Sequence, residues 1–355
     1  MKKFHYEVEG RTIYDKYKAI ETNKTILFKP PSTYENFDFS VEPKESLPEL
    51  LKEEAQRIRD EYRFVRLYYS GGADSQLMLE TFLENKIHID EIICLKSGFT
   101  GSDTEIDDYA IPFLNTLHLP KTKVTIWNHT LEDYENFYSR DIKEKMKSEC
   151  ITWDQKFRLT IQMEFYRPEL YHGNVANLHG YDKAKVIQMD GKWYTYFLDI
   201  DMEPTQHTYH FFSRNPKVQS KQAHLFKSSM RHNDINEKNI WEHEKEWNLS
   251  IGRQVENMPF KQMYFGTGKN YVPFNDRKMF YLNYKEKWAL EQALKTMPHV
   301  LSKWCDNMDY LRNAFNGNWW NGTPEQSTTG IFSDFYCLDD NSRKTVDELW
   351  PNGFN

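Results

Sequence analysis

The sequence predicts an α/β protein with a doubly wound, mainly parallel sheet. From residue 63 onward, short apolar runs typical of strands alternate with stretches whose apolar residues follow helical spacing. Strands separated by helices in this way pair in parallel through crossover connections. In addition, Asp190-Gly191 lies between two apolar runs, which indicates a hairpin with a two-residue turn.

The predicted elements follow one another in a regular order. An amphipathic helix over Leu47–Tyr62 comes first, because its leucines, Ala55 and Ile58 share one face. Strands are predicted at Phe64–Tyr69, Ile92–Leu95, Val124–Trp127 and Val175–Leu178, and helices at Gln76–Glu84, Ile106–Leu117, Leu131–Lys147 and Gln155–Tyr166. The hairpin then joins Val186–Met189 to Trp193–Phe197.

A length of 355 residues suggests two domains or slightly more, at roughly 150 residues per domain. We expect an N-terminal extended element at 1–46, where prolines interrupt any helix, and the α/β domain at 47–200. Helical patterns at Asp234–Trp247 and Arg277–Thr296 predict a mainly helical C-terminal domain at 201–355. This second domain would bind a substrate or a partner.

Composition argues against several classes of protein. The chain is 39% apolar and 15% aromatic, without the bias of a disordered or collagen-like chain. It has no run of 18 apolar residues and no apolar segment at its start, so neither a membrane span nor a secretory signal is expected. The cysteines lie far apart, which argues against a disulfide framework or a zinc ribbon; they are Cys94, Cys150, Cys305 and Cys337.

These features favour a cytoplasmic protein, in the host cytoplasm if it is a viral one. The net charge of −7 gives no overall positive field that would gather nucleic acid. A basic stretch over Lys217–Arg231 nevertheless leaves a nucleic-acid substrate open.

The segment Ser70-Gly71-Gly72-Ala73-Asp74-Ser75 is the most informative motif, because it joins the first predicted strand to a helix. Ligands of open α/β sheets bind at this strand end. Glycines let backbone N–H groups approach phosphate oxygens, and the following helix directs its positive end to the same place. Ser70 and Ser75 add hydroxyl groups, and Asp74 could hold a Mg²⁺ ion that bridges to phosphate.

The alternative interpretation is an ordinary strand-to-helix turn that Asp74 or a serine caps. The position of the whole string after an apolar strand and before a buried helix favours phosphate binding instead. Other phosphate motifs are absent: the chain has neither GxxxxGK[ST] nor GxGxxG after a strand, and Gly266-Thr267-Gly268-Lys269 has the wrong spacing.

This segment resembles the PP-loop of the N-type ATP pyrophosphatases. That superfamily has an adenine nucleotide alpha-hydrolase-like, Rossmann-like fold, and it includes asparagine and GMP synthetases, tRNA thiolation enzymes, tRNA-lysidine synthetase and PAPS reductase. The resemblance covers about residues 47–200. It implies that ATP and Mg²⁺ are bound, that ATP is cleaved to AMP and pyrophosphate, and that AMP is transferred to an oxygen of an acceptor.

Two further stretches are similar to family motifs. Lys96 and Ser97 follow the second strand, where family members contact adenine and ribose largely through backbone groups. Gly180, Asp182 and Lys183 follow the fourth strand, where the second family motif completes the phosphate site. The resemblance implies that Lys183 neutralises charge at the α-phosphate and that Asp182 orients Lys183 or holds a metal. The alternative for this stretch is a polar surface loop.

The chain departs from several family members. It has no N-terminal catalytic cysteine, so ammonia from a glutaminase in the same chain is not expected. Cys337 does not match the tail motif of PAPS reductases, although a PAPS-reductase-like or sulfotransfer enzyme remains an alternative. A further alternative is an ATP-binding sensor or a nucleic-acid-associated protein without turnover. The low glycine content, abundant aromatics and long C-terminal half are similar to uncharacterised phage-encoded PP-loop proteins.

Weaker candidates lie beyond the hairpin. Lys221 and His224 fall on one side of a predicted helix and could bind a substrate phosphate or carboxylate, although a solvated basic face explains them better. The histidines after residue 200 form no clear zinc pattern, and Trp319-Trp320 could stack on a base or lie in a core. We therefore expect a ligase or synthetase of the ATP pyrophosphatase type, whose acceptor is a small molecule or a nucleic-acid base, with no membrane partner.

Overall fold

The computed structural model describes residues 4–15, 18–19, 22, 24, 26–96, 105–128, 130, 132–133, 173–180, 184–197, 199, 209–232 and 333–349. The described strands form one parallel and two antiparallel sheets. Across these residues, no helix is both long enough and apolar enough to cross a membrane.

Strands and helices are numbered separately along the chain. The strands are β1 (His5–Val8), β2 (Arg11–Ile13), β3 (Leu27–Lys29), β4 (Phe64–Tyr68), β5 (Glu91–Lys96), β6 (Lys123–Asn128), β7 (Val175–His179), β8 (Lys185–Met189), β9 (Lys192–Tyr196), β10 (Tyr209–His210), β11 (Phe335–Cys337) and β12 (Arg343–Lys344). The helices are α1 (Ser32–Glu35), α2 (Leu47–Glu61), α3 (Ala73–Glu84), α4 (Ile111–Asn115), α5 (Pro216–His232) and α6 (Val346–Leu349).

Five of the described strands form the parallel sheet, in the order β10-β7-β4-β5-β6. The prediction of an α/β, Rossmann-like protein with a parallel sheet is therefore confirmed. The sheet grows from β4 toward β5 and β6, and the chain then returns to the other side of β4 to add β7 and β10. The strand order thus reverses between β4 and β7, which is the topological switch point of the sheet.

Local sequence explains the best-predicted elements. Helix α2 begins at a capping box, in which the Ser46 hydroxyl accepts from the Glu49 N–H and the Glu49 carboxylate accepts from the Ser46 N–H. The hairpin of β8 and β9 turns at Asp190 and Gly191, whose φ angles are 50° and 74°. Positive φ at both turn residues is what a two-residue turn of this type requires.

Other predictions need correction or lie outside the described part. The helix predicted at 106–117 begins with a π-helical turn, Glu105–Ala110, and only its second half is α-helical. Strand β10 has only two residues and was not predicted. Almost all of the helices predicted at 131–147 and 155–166, and both of those at 234–247 and 277–296, lie outside the described residues.

The core lies largely on one face of the parallel sheet. Apolar side chains from β4, β5 and β7 share this core with α2, α3 and α4; the strand residues are Val65, Leu67, Ile92, Cys94, Ala176 and Leu178. The other face carries a smaller apolar group, formed by Tyr68, Ile93, Leu95 and Trp127. Side chains alternate between the faces, as the pleat of a strand requires.

Two antiparallel sheets accompany the parallel sheet, and residues in and next to one of them take part in an aromatic cluster. Strands β1, β2 and β3 form one sheet, and the hairpin of β8 and β9 forms the other together with β11 and β12. Rings of Phe39, Phe197 and Tyr336 meet with centroids 5.0 to 5.7 Å apart. The cluster therefore joins residues from both ends of the chain, and aromatic pairs at this separation add to the hydrophobic stabilisation.

Polar contacts join the C-terminal segment 333–349 to α5 and to β9. The carboxylate of Asp339 lies 2.7 Å from Lys227 Nζ on α5 and accepts a 2.9 Å bond from the Trp193 N–H on β9. Burial alone would raise the pKa of Asp339, but these bonds and the charges of Lys227 and Arg231 hold it below its ordinary value. Whether residues 201–355 also contain a separate helical domain stays a prediction.

We expect Asp339→Ala to lower the free energy of unfolding by about 3 kcal/mol, because it leaves the buried Lys227 ammonium without its carboxylate. Urea unfolding at pH 7 measures the change. Asp340→Ala is the control, since the ion pair of Asp340 with Lys192 is exposed and should matter much less. Equal effects of the two substitutions would contradict the role given to Asp339.

Candidate functional site

The predicted phosphate-binding loop connects the end of β4 to the start of α3. Gly71 has a φ of +76°, a conformation that favours glycine, and Gly72 is the extended N-cap residue of α3. The loop therefore turns sharply and brings the first turn of a 12-residue helix to the end of the strand. Gly71 thus has the positive φ that the sequence led us to expect, whereas Gly72 has an extended conformation that other residues can also adopt.

The two serines of the loop contact each other. Ser75 Oγ donates to the Gly72 carbonyl at 3.1 Å and accepts from the Ser70 N–H at 3.2 Å. The hydroxyls of Ser70 and Ser75 lie 3.1 Å apart, and Ser70 Oγ also accepts from the Gly72 N–H. Both side chains thus shape the loop from within, in addition to the phosphate contacts that the sequence predicts for them.

Asp74 lies in the first turn of α3 and is partly buried. Among the described residues, no group of three or more His, Cys, Asp or Glu side chains could hold a metal ion. Asp74 alone would be an incomplete site, since proteins commonly bind Mg²⁺ through one or two carboxylates together with phosphate oxygens and water. A magnesium ion would therefore reach Asp74 with a polyphosphate ligand.

Gly180 brings the end of β7 against this loop. A Cβ atom at Gly180 would lie 2.9 Å from the carbonyl carbon and oxygen of Asp74 and from the Ser75 nitrogen. Real Cβ atoms essentially never approach backbone so closely. Only glycine therefore allows β7 to pack on the Asp74–Ser75 peptide, and the structure brings two of the predicted motifs together at the switch point.

Aromatic side chains lie beside this contact on neighbouring strands. The rings of Tyr68 and His179 stack with centroids 4.3 Å apart and planes 11° from parallel. Tyr68 ends β4, one residue before Tyr69 and the loop, and His179 ends β7, directly before Gly180. The stacked rings add side-chain contact between the carboxyl ends of β4 and β7.

Lys96 ends β5, the neighbour of β4 on the other side. Its Nζ lies 2.7 and 2.9 Å from the two carboxylate oxygens of Asp107 in the π-helical turn. The side chain is thus engaged with Asp107, and the predicted nucleotide contact would be made by the backbone at this strand end. Ser97, Asp182 and Lys183, which the sequence also predicts at the site, lie outside the described residues.

Lys221 and His224 connect α5 to the segment before α2. Lys221 Nζ lies 2.5 Å from a Glu42 carboxylate oxygen, and the buried His224 ring lies 2.9 Å from the Phe39 carbonyl oxygen. These contacts give both side chains a structural role, and no described contact joins them to the loop. Their predicted role in substrate binding stays a prediction.

One residue near the site had no signal in the sequence. The fully buried Gln222 of α5 accepts a 3.1 Å hydrogen bond from the N–H of Ala184, which begins the approach to β8. Its Oε1 thereby fixes the far end of the stretch that starts at Gly180. A single glutamine on a helix face gives no sequence pattern, so only the packing of α5 on the hairpin identifies it.

This arrangement, at the carboxyl ends of parallel strands, is of a kind that can bind an anion. Backbone N–H groups at the start of α3, a carboxylate that could hold a cation, and a glycine contact from β7 meet there. No protein-family model matches the chain, and a search of curated proteins finds no significant match either.

Gly180→Ala should lower the free energy of unfolding by about 1–3 kcal/mol, because the added methyl overlaps the Asp74–Ser75 peptide. It should also speed hydrogen exchange of the loop amides over residues 70–76. Gly10→Ala serves as the control, since it strains a φ of +76° but its methyl meets nothing within 4 Å. Unchanged loop exchange in Gly180→Ala would contradict the close contact.

We expect His224 to make the free energy of unfolding fall as the pH drops below about 6.5, the ordinary pKa of a histidine side chain. Burial lowers the pKa of His224, and the hydrogen bond to the Phe39 carbonyl opposes this shift. The charges of Lys227 and Lys221 lower the pKa further, whereas the charge of Glu42 raises it. As the pH falls, His224 therefore takes up a proton in the unfolded chain before it does so in the folded protein. This difference lowers the free energy of unfolding by at most about 1.4 kcal/mol per pH unit. Urea unfolding between pH 5 and 7.5 should show a shallower slope for His224→Gln, and identical slopes would refute this role.

Proposed function

We propose that this chain is an adenylylating enzyme that binds ATP with Mg²⁺ at the Ser70–Ser75 loop and releases pyrophosphate. The proposal rests on the position of this loop in the parallel sheet. The loop lies at the switch point of a parallel sheet, with Gly71 in the left-handed region and Gly180 of the neighbouring strand packed on its Asp74–Ser75 peptide. Nucleotides of doubly wound proteins bind at this point.

The strand order supports a fold of the adenine nucleotide alpha-hydrolase-like kind. Counted along the chain, the strands of the parallel sheet lie in the order 5-4-1-2-3, which read from the other edge is 3-2-1-4-5. This matches the first five strands of the common dinucleotide-binding order, in which the ligand lies between strands 1 and 4. Strands 1 and 4 are β4 and β7, which carry the two motifs.

The chemistry would depend mainly on electrostatic stabilisation. An oxygen of a carboxyl, amide or ureido group attacks the α-phosphorus, and the bond to the bridging oxygen breaks as pyrophosphate leaves with the electron pair. Loop N–H groups and the start of α3 would stabilise the charge that develops on the leaving group. Asp74 would hold the Mg²⁺ ion, which neutralises phosphate charge when bound.

The second half of the reaction would release AMP. An amine, ammonia or a sulfur nucleophile attacks the adenylylated carbon, and AMP departs with the oxygen that the acceptor contributed. Lys183 remains the proposed cation at the α-phosphate. Residues 201–355, proposed to include a mainly helical domain, would supply binding groups for an acceptor that is a small molecule or a nucleic-acid base.

A reductase or sulfotransfer reaction that uses Cys337 has less support. Cys337 is fully buried in β11, where its Sγ accepts from the Asp339 N–H at 3.4 Å. A redox-active cysteine is normally accessible to its partner. An ATP-binding sensor without turnover would need the same loop geometry, so it remains the second candidate and only an assay separates the two.

Product analysis tests the proposal. Purified protein is incubated with ATP, Mg²⁺ and pools of candidate acceptors, and the nucleotides are separated by chromatography. AMP and pyrophosphate should appear in equal amounts only when an acceptor is present. Accumulation of ADP in step with turnover would refute cleavage between the α and β phosphates, and tight ATP binding with no product in any pool would favour the sensor.

We expect Asp74→Asn to reduce pyrophosphate release by about two to three orders of magnitude, because asparagine lacks the charge that would hold Mg²⁺. The melting temperature should stay close to that of the wild type, since asparagine occupies the same volume in the first turn of α3. Asp107→Asn is the control, because it also removes a carboxylate near the sheet edge but only from the Lys96 pair. An unchanged rate in Asp74→Asn would remove Asp74 from the mechanism.

A further inference from the structure

We propose that Tyr69 and Gln76 are positioning residues that hold the phosphate-binding loop in its binding shape through a buried side-chain hydrogen bond. The inference rests on the proposed nucleotide function of the loop and adds two residues to it. Both would act through the backbone of Ser70–Asp74 and not by touching the nucleotide. The bond between them is here called the loop brace.

The loop brace spans the base of the loop. Tyr69 is the last residue before the loop, and Gln76 lies in the first turn of α3. The Tyr69 hydroxyl donates to Gln76 Oε1, and the two residues are only 2% and 4% exposed. The bond therefore ties the end of β4 to the start of α3 in surroundings from which water is excluded, where a hydrogen bond is strong and costly to lose.

A third residue sets the direction of this bond. Gln76 Nε2 donates to Glu80 Oε1 at 2.9 Å, one helical turn further along α3. With its NH₂ group directed to Glu80, the amide presents its oxygen to Tyr69, so the phenol must be the donor. Hydrogen bonds arranged in such a chain polarise and strengthen one another.

Backbone bonds hold the same two residues in place. The Tyr69 N–H donates to the Ile93 carbonyl of β5 at 2.8 Å, and the Gln76 N–H donates to the Gly72 carbonyl at 2.9 Å. The residues at the two ends of the loop are thus fixed to the sheet and to the loop itself, and the side-chain bond sets the distance between them. That distance determines where the N–H groups between them point, and small displacements of binding groups have large effects on rate.

The aromatic ring of Tyr69 also packs in the core, 6.2 Å from the ring of Phe113. Packing alone would be served equally well by phenylalanine, which fills the same space without a buried hydroxyl. The hydroxyl of Tyr69 therefore has a role apart from core packing. Tyr69→Phe separates the two contributions, because it keeps the ring and removes only the donor.

The test compares Tyr69→Phe, Gln76→Met and the double variant with the wild type. Gln76→Met keeps the length of the side chain and removes the acceptor, so each single variant breaks the same bond. Tyr34→Phe is the matched control: Tyr34 is 3% exposed and its hydroxyl also donates to a buried acceptor, the Ser213 carbonyl, in a different part of the protein. If one loop variant fails to fold, the other still breaks the loop brace.

The first readout needs no nucleotide. Hydrogen exchange of peptides covering residues 69–76 should be about tenfold faster in Tyr69→Phe and Gln76→Met, and unchanged in Tyr34→Phe. All variants are expected to lose some thermal stability, so melting temperature does not distinguish them. Loop exchange that stays at the wild-type rate in both loop variants would overturn the proposal.

The second readout is the affinity for ATP in the presence of Mg²⁺, measured by calorimetry. Each single loop variant should bind about tenfold more weakly, and the double variant no more than about threefold more weakly than either, because one bond is shared. A hundredfold loss in the double variant, or an equal loss in Tyr34→Phe, would overturn the proposal. If the wild type binds no ATP, the proposed function fails, and the exchange data still decide whether the loop brace exists.

Discussion

The candidate site depends on the register in which β7, β4 and β5 pair. A buried polar row on one face of the sheet holds this register: Arg66 donates to Glu91 at 2.8 Å and to Asn177 at 2.9 Å, and Thr125 donates to Glu91 at 2.7 Å. Burial raises the pKa of Glu91, but the bonds from Arg66, Thr125 and Lys123 hold it below its ordinary value. A register shift would leave buried charges without partners, which costs far more than an apolar mismatch. With the correct register, β4 and β7 end side by side and their loops meet.

Helix α5 connects this sheet to the rest of the described chain. It follows the edge strand β10, packs on α2, and contacts the hairpin of β8 and β9. Its polar residues then reach three separate segments: Lys221 contacts Glu42, Gln222 contacts Ala184, and Lys227 contacts Asp339. A basic helix face, which in a sequence is typical of a solvated surface or an anion site, thus serves here largely to join segments that are far apart along the chain. Charged side chains are rarely buried unless paired, and the pairs found here meet that condition.

The elements that the sequence predicts well are those whose causes are local. The Ser46 and Glu49 capping box, the Asp190-Gly191 turn and Gly71 each specify a conformation within a few residues. Strand β10 could not be predicted, because two residues carry no periodicity and β10 forms only by pairing with β7. The pairing of β11 with β9 joins residues about 140 positions apart, and neither segment contains a pattern that predicts the other as its partner. The ion pair of Lys96 with Asp107 could not be predicted either, because it depends on the π-helical turn that contains Asp107.

The loop Ser70–Ser75 illustrates why a candidate binding site can be rigid before any ligand arrives. Its serine hydroxyls bond to each other and to the Gly72 backbone, so the loop does not rely on a phosphate group to satisfy them. Its glycine conformation and the approach of Gly180 are likewise set by the chain alone. A binding site that is already ordered loses little conformational entropy on association, and dipoles that are already oriented need no reorganisation as charge develops. The same order has a cost, because a loop packed this closely tolerates neither a methyl group at Gly180 nor a shift of β7. The shape of the loop therefore depends on the register of the sheet. The polar row around Arg66 holds this register, and the close contact of Gly180 fixes the loop against the end of β7.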